Sequence, residues 1–521
     1  MMPSFPAIPV RPLKRSYDYI VVGSGSGGAA VTRRLVDAEA DVLLIEAGPP
    51  GIGIGEIDDP AQWPALQRSR FDWGYAYAPA PHADSRNIVI PRGRVLGGSS
   101  AINAMLWYRG HPTDYDAWEA AGARGWSFAH VLPFFRRCED CESGANSWRG
   151  AGGPMRIERC PDPHPVALAL VDGAKELGVA AIEDANGADN EGGALADFNI
   201  AVGSRWSSAR GYLWPVLHRA NLTVLADSQA IGVSFDGRRC VSVKHLFGTE
   251  VVETRARAEI VLALGAIGTP RLLMQSGIGD PGELQRLGIA TRAARPGVGK
   301  NLQDHPLVLA VNFRSKKPLG PVRGNGGGSM VNWKTRAGLA QANVHAFPVQ
   351  GATATPEIVR SHDLSGDIFA IGTGLMRSRS RGHLRLSGAE LDAPMEIQPN
   401  FLAEPDDLAD LVDAVDFVME FAGTSAFAEW FGGFAAPERR LPRQEIVGFI
   451  RAACSTFFHT CGTCRMGEDE LAVVDSRLAL HGIDGLRIAD ASVIPIIPSC
   501  NTHAPVTMIG ERAADFILQA A

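Results

Sequence analysis

Cysteine is scarce, with eight in 521 residues. That is too few to staple a chain of this size, so a disulfide scaffold is excluded and a reduced protein is expected. Two Cys-x-x-Cys pairs occur, Cys138/Cys141 and Cys461/Cys464. A zinc ribbon brings its pairs within tens of residues of each other, so incidental packing is expected and no metal site is assigned. Long apolar runs are missing too: no stretch reaches the about 18 apolar residues of a membrane span. The opening MMPSFPAIPVRPLKRSYD has prolines where a secretory signal carries its apolar core. A cytoplasmic location is therefore expected, without a membrane partner. There is no excess of positive charge: 57 acidic against 50 basic residues give −7. That balance argues against nucleic acid as a partner. Internal repeats and low-complexity runs are absent. The 45% hydrophobic and 21% charged fractions are those of an ordinary globular chain.

Glycine is the residue in surplus, at 58 of 521, above the usual ~7%. Part of it forms a dinucleotide fingerprint. Tyr17 to Val22 reads as a short buried strand, followed by Gly23, Gly25 and Gly28 in GxGxxG spacing with Ser26 among them. The next stretch has Val31, Leu35 and Val36 spaced for one buried helix face, and Val42 to Ile45 reads as a second strand ending at Glu46 and Ala47. Gly23 permits the tight turn, Gly25 lets backbone approach a pyrophosphate, and Gly28 lets helix pack on strand. The helix N-terminus presents amides to phosphate. Glu46 would accept from ribose hydroxyls and repel a 2′-phosphate. The strand–turn–helix–strand–acid order implies one bound dinucleotide but does not separate NAD from FAD. Glycines at 51–55 and 324–328 lack the flanking elements of a second fingerprint.

Residues 93–116, GRVLGGSSAINAMLWYRGHPTDYD, form a backbone-rich loop suited to a planar or phosphate-bearing ligand, with Trp107 and Arg109 following as aromatic and polar groups. Ile260 to Leu264 reads as a strand end before a glycine turn and a helix starting near Pro270, within GAIGTPRLLMQSGIG. Together these two segments resemble the signatures of the glucose–methanol–choline (GMC) oxidoreductases, FAD-dependent alcohol oxidases and dehydrogenases. Arg205 to Ala209, Pro296 to His305 and Gly485 to Val493 match further family segments in order. The resemblance implies flavin neighbours at Arg94, Gly97, Gly98, Ser100, Asn103 and Ala104, an adenine contact at Ala230, and contacts at Asp490, Ala491, His503, Ala504 and Pro505. Covalent members carry a histidine shortly before the Gly-Gly pair. Residues 83–110 contain no histidine, so FAD is expected to be non-covalent.

Two C-terminal segments carry the chemistry that the resemblance implies. Phe457-Phe458-His459-Thr460-Cys461-Gly462-Thr463-Cys464 places His459 as the base that removes the hydroxyl proton while a hydride leaves the same carbon for flavin N5. Pro498 to Thr507 places His503 as a second hydrogen-bonding group on the alcohol oxygen. A neutral imidazole suits proton removal, since its unperturbed pKa lies near ~6.5. Which histidine is the base stays open. His305 is expected to be structural, away from both segments, and Cys461 to pack.

The expected fold is α/β and α+β: a Rossmann-like FAD-binding domain with an interleaved substrate-binding domain built on an antiparallel sheet flanked by helices. The FAD-binding part takes residues 15–160, 200–310 and 455–521, and the substrate-binding part takes 161–199 and 311–454. Leu307 to Phe313, Asn343 to Val349 and His383 to Leu386 alternate as in a half-exposed sheet, and Pro405 to Ala422 reads as an amphipathic helix. Size and motif layout within the family imply oxidation of pyridoxine to pyridoxal, with dioxygen reduced to hydrogen peroxide. Choline, hydroxymethylfurfural or another small primary alcohol is the alternative, with another electron acceptor in place of dioxygen. Outside the family, the alternatives are an NAD-dependent dehydrogenase, a flavin-binding protein without turnover, and a metal-dependent dehydrogenase using the cysteine pairs. Oxidase against dehydrogenase and the oligomeric state are left open.

Overall fold

The computed structural model of the protein describes residues 5–520. Met1 to Ser4 of the proline-interrupted opening, and Ala521, lie outside the described residues. Two seven-stranded sheets dominate these residues. In the first, Leu222–Leu225, Val42–Ile45, Ser16–Val22, the end of Glu250–Leu262, and Leu486–Ile488 run parallel. Their apolar runs are buried on both faces, as parallel strands covered by helices require. Arg239–Phe247 and Ala230–Asp236 extend the far half of Glu250–Leu262 as an antiparallel meander.

Register brings the carboxyl ends of the parallel strands into one row. Val22 pairs with both Ile45 and Leu262, Leu225 pairs with Ile45, and Leu262 pairs with Ile488. The residues that follow, Gly23, Glu46, Ala263 and Asp490, therefore line one edge, the place where open α/β sheets bind ligands. The helix Ser26–Asp37 buries Val31, Leu35 and Val36 completely, each worth about 1.5–3 kcal/mol. It crosses the C-terminal helix His503–Leu518 closely: a Cβ on Gly510 would meet the Gly27 oxygen at 2.4 Å.

The second sheet is antiparallel, in the order Phe431–Ala436, Pro306–Ser315, Ile368–Leu375, Val344–Val349, Ser329–Trp333, Gly192–Leu195, with Cys454–Thr456 also paired to Pro306–Ser315. It differs from the half-exposed sheet expected. Ile368–Leu375 and Ser329–Trp333 are buried at every position, because one face carries the helix Pro405–Glu420 and the other, through Leu307, Leu309, Phe347 and Val349, walls a cavity. His383–Leu386 is not part of this sheet; it pairs with Met395–Gln398 alone. Pro306–Ser315 belongs whole to this sheet, so the sheets change over near residue 305 rather than 310.

The helix expected near Pro270 begins five residues earlier, as Gly265–Gln275, with Pro270 inside it. Proline there forfeits the bond to the carbonyl four residues back. That carbonyl, Ala266 O, accepts from Thr463 Oγ1 at 2.6 Å instead. A partner remote in the sequence thus removes the cost that would have ended the helix.

Candidate active site

A cavity of about 790 Å³ lies between the row of strand ends and the second sheet, within the range that ligand sites occupy. At the strand ends it touches Gly23, Gly25, Ser26, Glu46, Ala47, Ala230, Asp490 and Ala491. A Cβ on Gly25 would meet nothing within 4 Å, whereas one on Gly28 would meet the Gly23 oxygen at 2.0 Å. Gly25 therefore leaves room for a ligand beside the first amides of Ser26–Asp37, and Gly28 serves the helix–strand contact away from the cavity wall.

Glu46 is organised by its own turn. Oε2 accepts from the Ser24 amide at 3.1 Å and its hydroxyl at 2.5 Å, and Oε1 accepts from Gly48 N at 2.9 Å. Burial pushes its pKa up against these bonds. A carboxylate oxygen accepts two hydrogen bonds, so Oε1 keeps a site for a ribose hydroxyl. Asp490 ties two strand ends together, accepting from Gly265 N at 2.9 Å, Thr269 Oγ1 at 2.5 Å and Ser492 N at 2.8 Å.

Gly98, Ser100, Asn103 and Ala104 lie on the wall, with Gly98 against Gly25. Arg94 does not: it is exposed and stacks over Trp73, 5.2 Å from the ring centroid. Arg92 faces the cavity two residues earlier and donates to Thr460 Oγ1 at 2.6 Å. Gly97 lies behind the wall, its amide donating to Ser24 Oγ at 3.0 Å. Ala504 and Pro505 are buried in the first turn of the C-terminal helix, off the wall. Trp107 and Arg109 point away from the cavity onto the buried Glu139, which accepts from Trp107 Nε1 at 2.8 Å and from Arg109 Nε at 3.1 Å. The Trp107 ring edge in turn packs on His503, centroids 5.1 Å apart.

His459 and His503 both face the cavity and are both buried. His503 Nε2 lies 3.1 Å from Ser208 Oγ, while its Nδ1 has no partner. Burial, then the Arg205 charge, lowers its pKa to about 3. His459 Nε2 lies 3.1 Å from Asn501 Nδ2, another cavity residue, and its Nδ1 lies 2.9 Å from His305 Nδ1. Burial holds His459 well below the usual imidazole pKa, assisted by His305, Arg92 and His345.

The placement of His305 corrects the expectation that it stands apart. Leu307 pairs with Ser455, Pro306 with Thr456, and Gln303 with Cys461. Between these pairs the chain Phe457 to Thr460 bulges around Asp304, whose Oδ1 accepts from His305 N at 2.7 Å and His459 N at 2.8 Å. Its Oδ2 accepts from Tyr77 and Thr456 hydroxyls. One buried carboxylate thus fixes the backbones of both imidazoles. Asn501 and Asp304 lie in the family-like segments, but only the tertiary structure brings them to His459, Asp304 through the antiparallel register and Asn501 through a contact at Nε2.

An open glycine turn under a helix N-terminus, a free acceptor on Glu46 and two buried imidazoles fit a flavin dinucleotide and an alcohol. Comparison with known proteins agrees. Family models described as GMC oxidoreductase match residues 17–307 and 378–510. An oxygen-dependent choline dehydrogenase of Brucella anthropi is 37% identical, covering 96% of this chain and 95% of its own. The crystal structure of pyridoxine 4-oxidase from Mesorbium loti superposes with a TM-score of 0.92 at 32% identity, covering 96% of this chain and 98% of that one. A formate oxidase of Aspergillus oryzae, studied for its FAD modification, gives 0.87 at 26% identity over 97% and 98%.

Proposed function

Because the chain belongs to the GMC oxidoreductases, FAD-dependent enzymes acting on alcohols, we propose that it oxidises a flat primary alcohol without fixed positive charge, pyridoxine first, to the aldehyde. The observation that carries this choice is the charge of the cavity wall. Arg68, Arg86, Arg92 and Arg271 line it against two acids, Glu46 and Asp490, and both acids are held by amides and hydroxyls at the strand ends. A quaternary ammonium calls for an aromatic cage or a free carboxylate. Phe347 and Phe457 instead pack on each other, centroids 5.6 Å apart, and Phe457 stacks flat on His459. The similarity to pyridoxine 4-oxidase supports the same choice, whereas the 37% identity to a choline dehydrogenase favours choline as the second reading.

Bound FAD supplies the two-electron acceptor, and dioxygen is the expected final oxidant. His459 takes the hydroxyl proton at Nε2, the nitrogen on the cavity side with Asn501. Burial keeps it neutral and ready at neutral pH. His503, fixed by Ser208 and Trp107, has Nδ1 left for the alcohol oxygen. In this reading FAD is held non-covalently, since the wall residues from Arg86 to Leu106 include no histidine, cysteine or tyrosine. In the same reading residues 15–160, 200–305 and 455–521 form the FAD-binding part and 161–199 and 306–454 the substrate part, the boundary drawn from the sequence at 310 moving to 305 with the strand Pro306–Ser315.

A steady-state screen of the purified flavoprotein with pyridoxine, choline and hydroxymethylfurfural, under oxygen and with an artificial acceptor, tests the choice. Turnover of pyridoxine with hydrogen peroxide release is expected. Good activity on choline with none on pyridoxine reverses it.

A further inference from the structure

The contact between His305 and His459 joins two Nδ1 atoms at 2.9 Å, the rings nearly perpendicular at 87°. Two neutral imidazoles can share only one proton there, so one ring donates and the other accepts. The surroundings of His459 decide the direction. On the far side of His459, the Asn501 amide nitrogen lies 3.1 Å from Nε2. An amide N–H donates, so Nε2 must offer its lone pair, and the ring proton of His459 must be on Nδ1. On the far side of His305, Nε2 is buried without a hydrogen-bond partner. With the His459 proton on Nδ1, the 2.9 Å contact leaves His305 Nδ1 as the acceptor. The opposite direction would set two donors against each other at Asn501.

We propose that His305 is a positioning residue that accepts the Nδ1 proton of His459 and so holds the His459 lone pair on Nε2, facing the cavity. This rests on His459 as the base. When the alcohol binds, the Asn501 N–H releases the Nε2 lone pair; Nε2 then takes the alcohol proton while Nδ1–H keeps the same acceptor, and that bond gains the strength of a charged donor. No proton leaves the pair. His345 and Arg92 are the other charged or titratable groups around the His459 ring, and Asp304 reaches its backbone amide. None of these contacts Nδ1. The tautomer is therefore set from both sides, by Asn501 at Nε2 and by His305 at Nδ1, the orienting partner at Nδ1 holding the proton there as partners of catalytic histidines generally do.

The test is 15N NMR of the holoenzyme carrying labelled histidine, with the His459 signals assigned by their loss in His459→Gln. The expected spectrum at neutral pH shows His459 protonated at Nδ1 and unprotonated at Nε2. His305→Asn, whose amide oxygen can accept the same proton, should keep that pattern and most of the turnover. His305→Leu, with no acceptor at Nδ1 but Asn501 intact, should weaken the tautomer preference and lower kcat by about 10-fold or more, with KM and FAD content unchanged. A wild-type His459 protonated at Nε2 overturns the proposal without any variant, and so does a His305→Leu enzyme with unchanged tautomer and kcat. Failure of His459 as the base would show separately, as near-normal turnover in His459→Ala with the tautomer pattern of the wild type intact.

Discussion

In the proposed reaction, proton removal falls to one ring nitrogen of a site whose burial lowers the pKa of its imidazoles. His459→Ala removes that nitrogen without touching the strand ends, so FAD content is expected to hold while kcat falls by about 100-fold or more, the scale of losing a general base. Rapid anaerobic mixing with the alcohol checks it, since the loss should appear in the reduction step. His459 and His503 were both legible, because each lies in a short segment whose residue types and order carry the family pattern. Their partners were not. His305 and His459 are 154 positions apart, and nothing in the local sequence of either says that the strands Pro306–Ser315 and Cys454–Thr456 pair. Arg92 and Arg94 show the same limit: two arginines flank one glycine, and only the course of the loop decides that the first faces the cavity and the second Trp73.

Among the elements, the C-terminal helix His503–Leu518 has two tasks. Its first turn presents His503, and its middle locks onto the first helix of the nucleotide fold. Glu511, fully buried, accepts from Arg34 Nε at 2.8 Å and Nη2 at 2.7 Å, and from Tyr212 Oη at 2.8 Å. Replacing it strands the Arg34 charge beside a buried hydroxyl. Glu511→Ala is expected to cost about 3 kcal/mol, the lower end for a broken buried pair because Arg34 keeps some solvent. A lowered denaturation midpoint in urea, with the transition slope unchanged, is the measurement. Periodicity and the GxGxxG turn marked the strands Ser16–Val22 and Val42–Ile45 and the helix between them, since local patterns alone shape those elements. The helix around Pro270 was misplaced for the converse reason: its proline is tolerated through Thr463, almost two hundred residues away.

For the whole molecule, burial of imidazoles should tie stability to pH. His345 is lowered to about 4 by burial alone, and His305 and His503 to about 3. Their folded values lie below the unfolded ~6.5. The unfolded chain therefore gains protons first on acidification, and stability present above about pH 6.5 is lost as pH falls toward the folded values. Each such imidazole contributes a slope of about 1.4 kcal/mol per pH unit in that window. Glu46, Asp304 and Asp490, raised by burial, act in the opposite sense. A difference isolates one group: His345→Gln should gain thermal midpoint relative to the parent between pH 7 and 5, and a constant gap across that range would contradict the assignment. Composition and short motifs were enough to determine the family, the dinucleotide fold and the two histidines, because glycine turns and strand ends are set by contacts within a few tens of residues. The half-exposed sheet became a buried one, and His305 moved from the periphery to the base, only in the tertiary structure. Which faces are covered and which strands pair are decided by chain segments distant in sequence, where packing and register, not local residue type, select the partner.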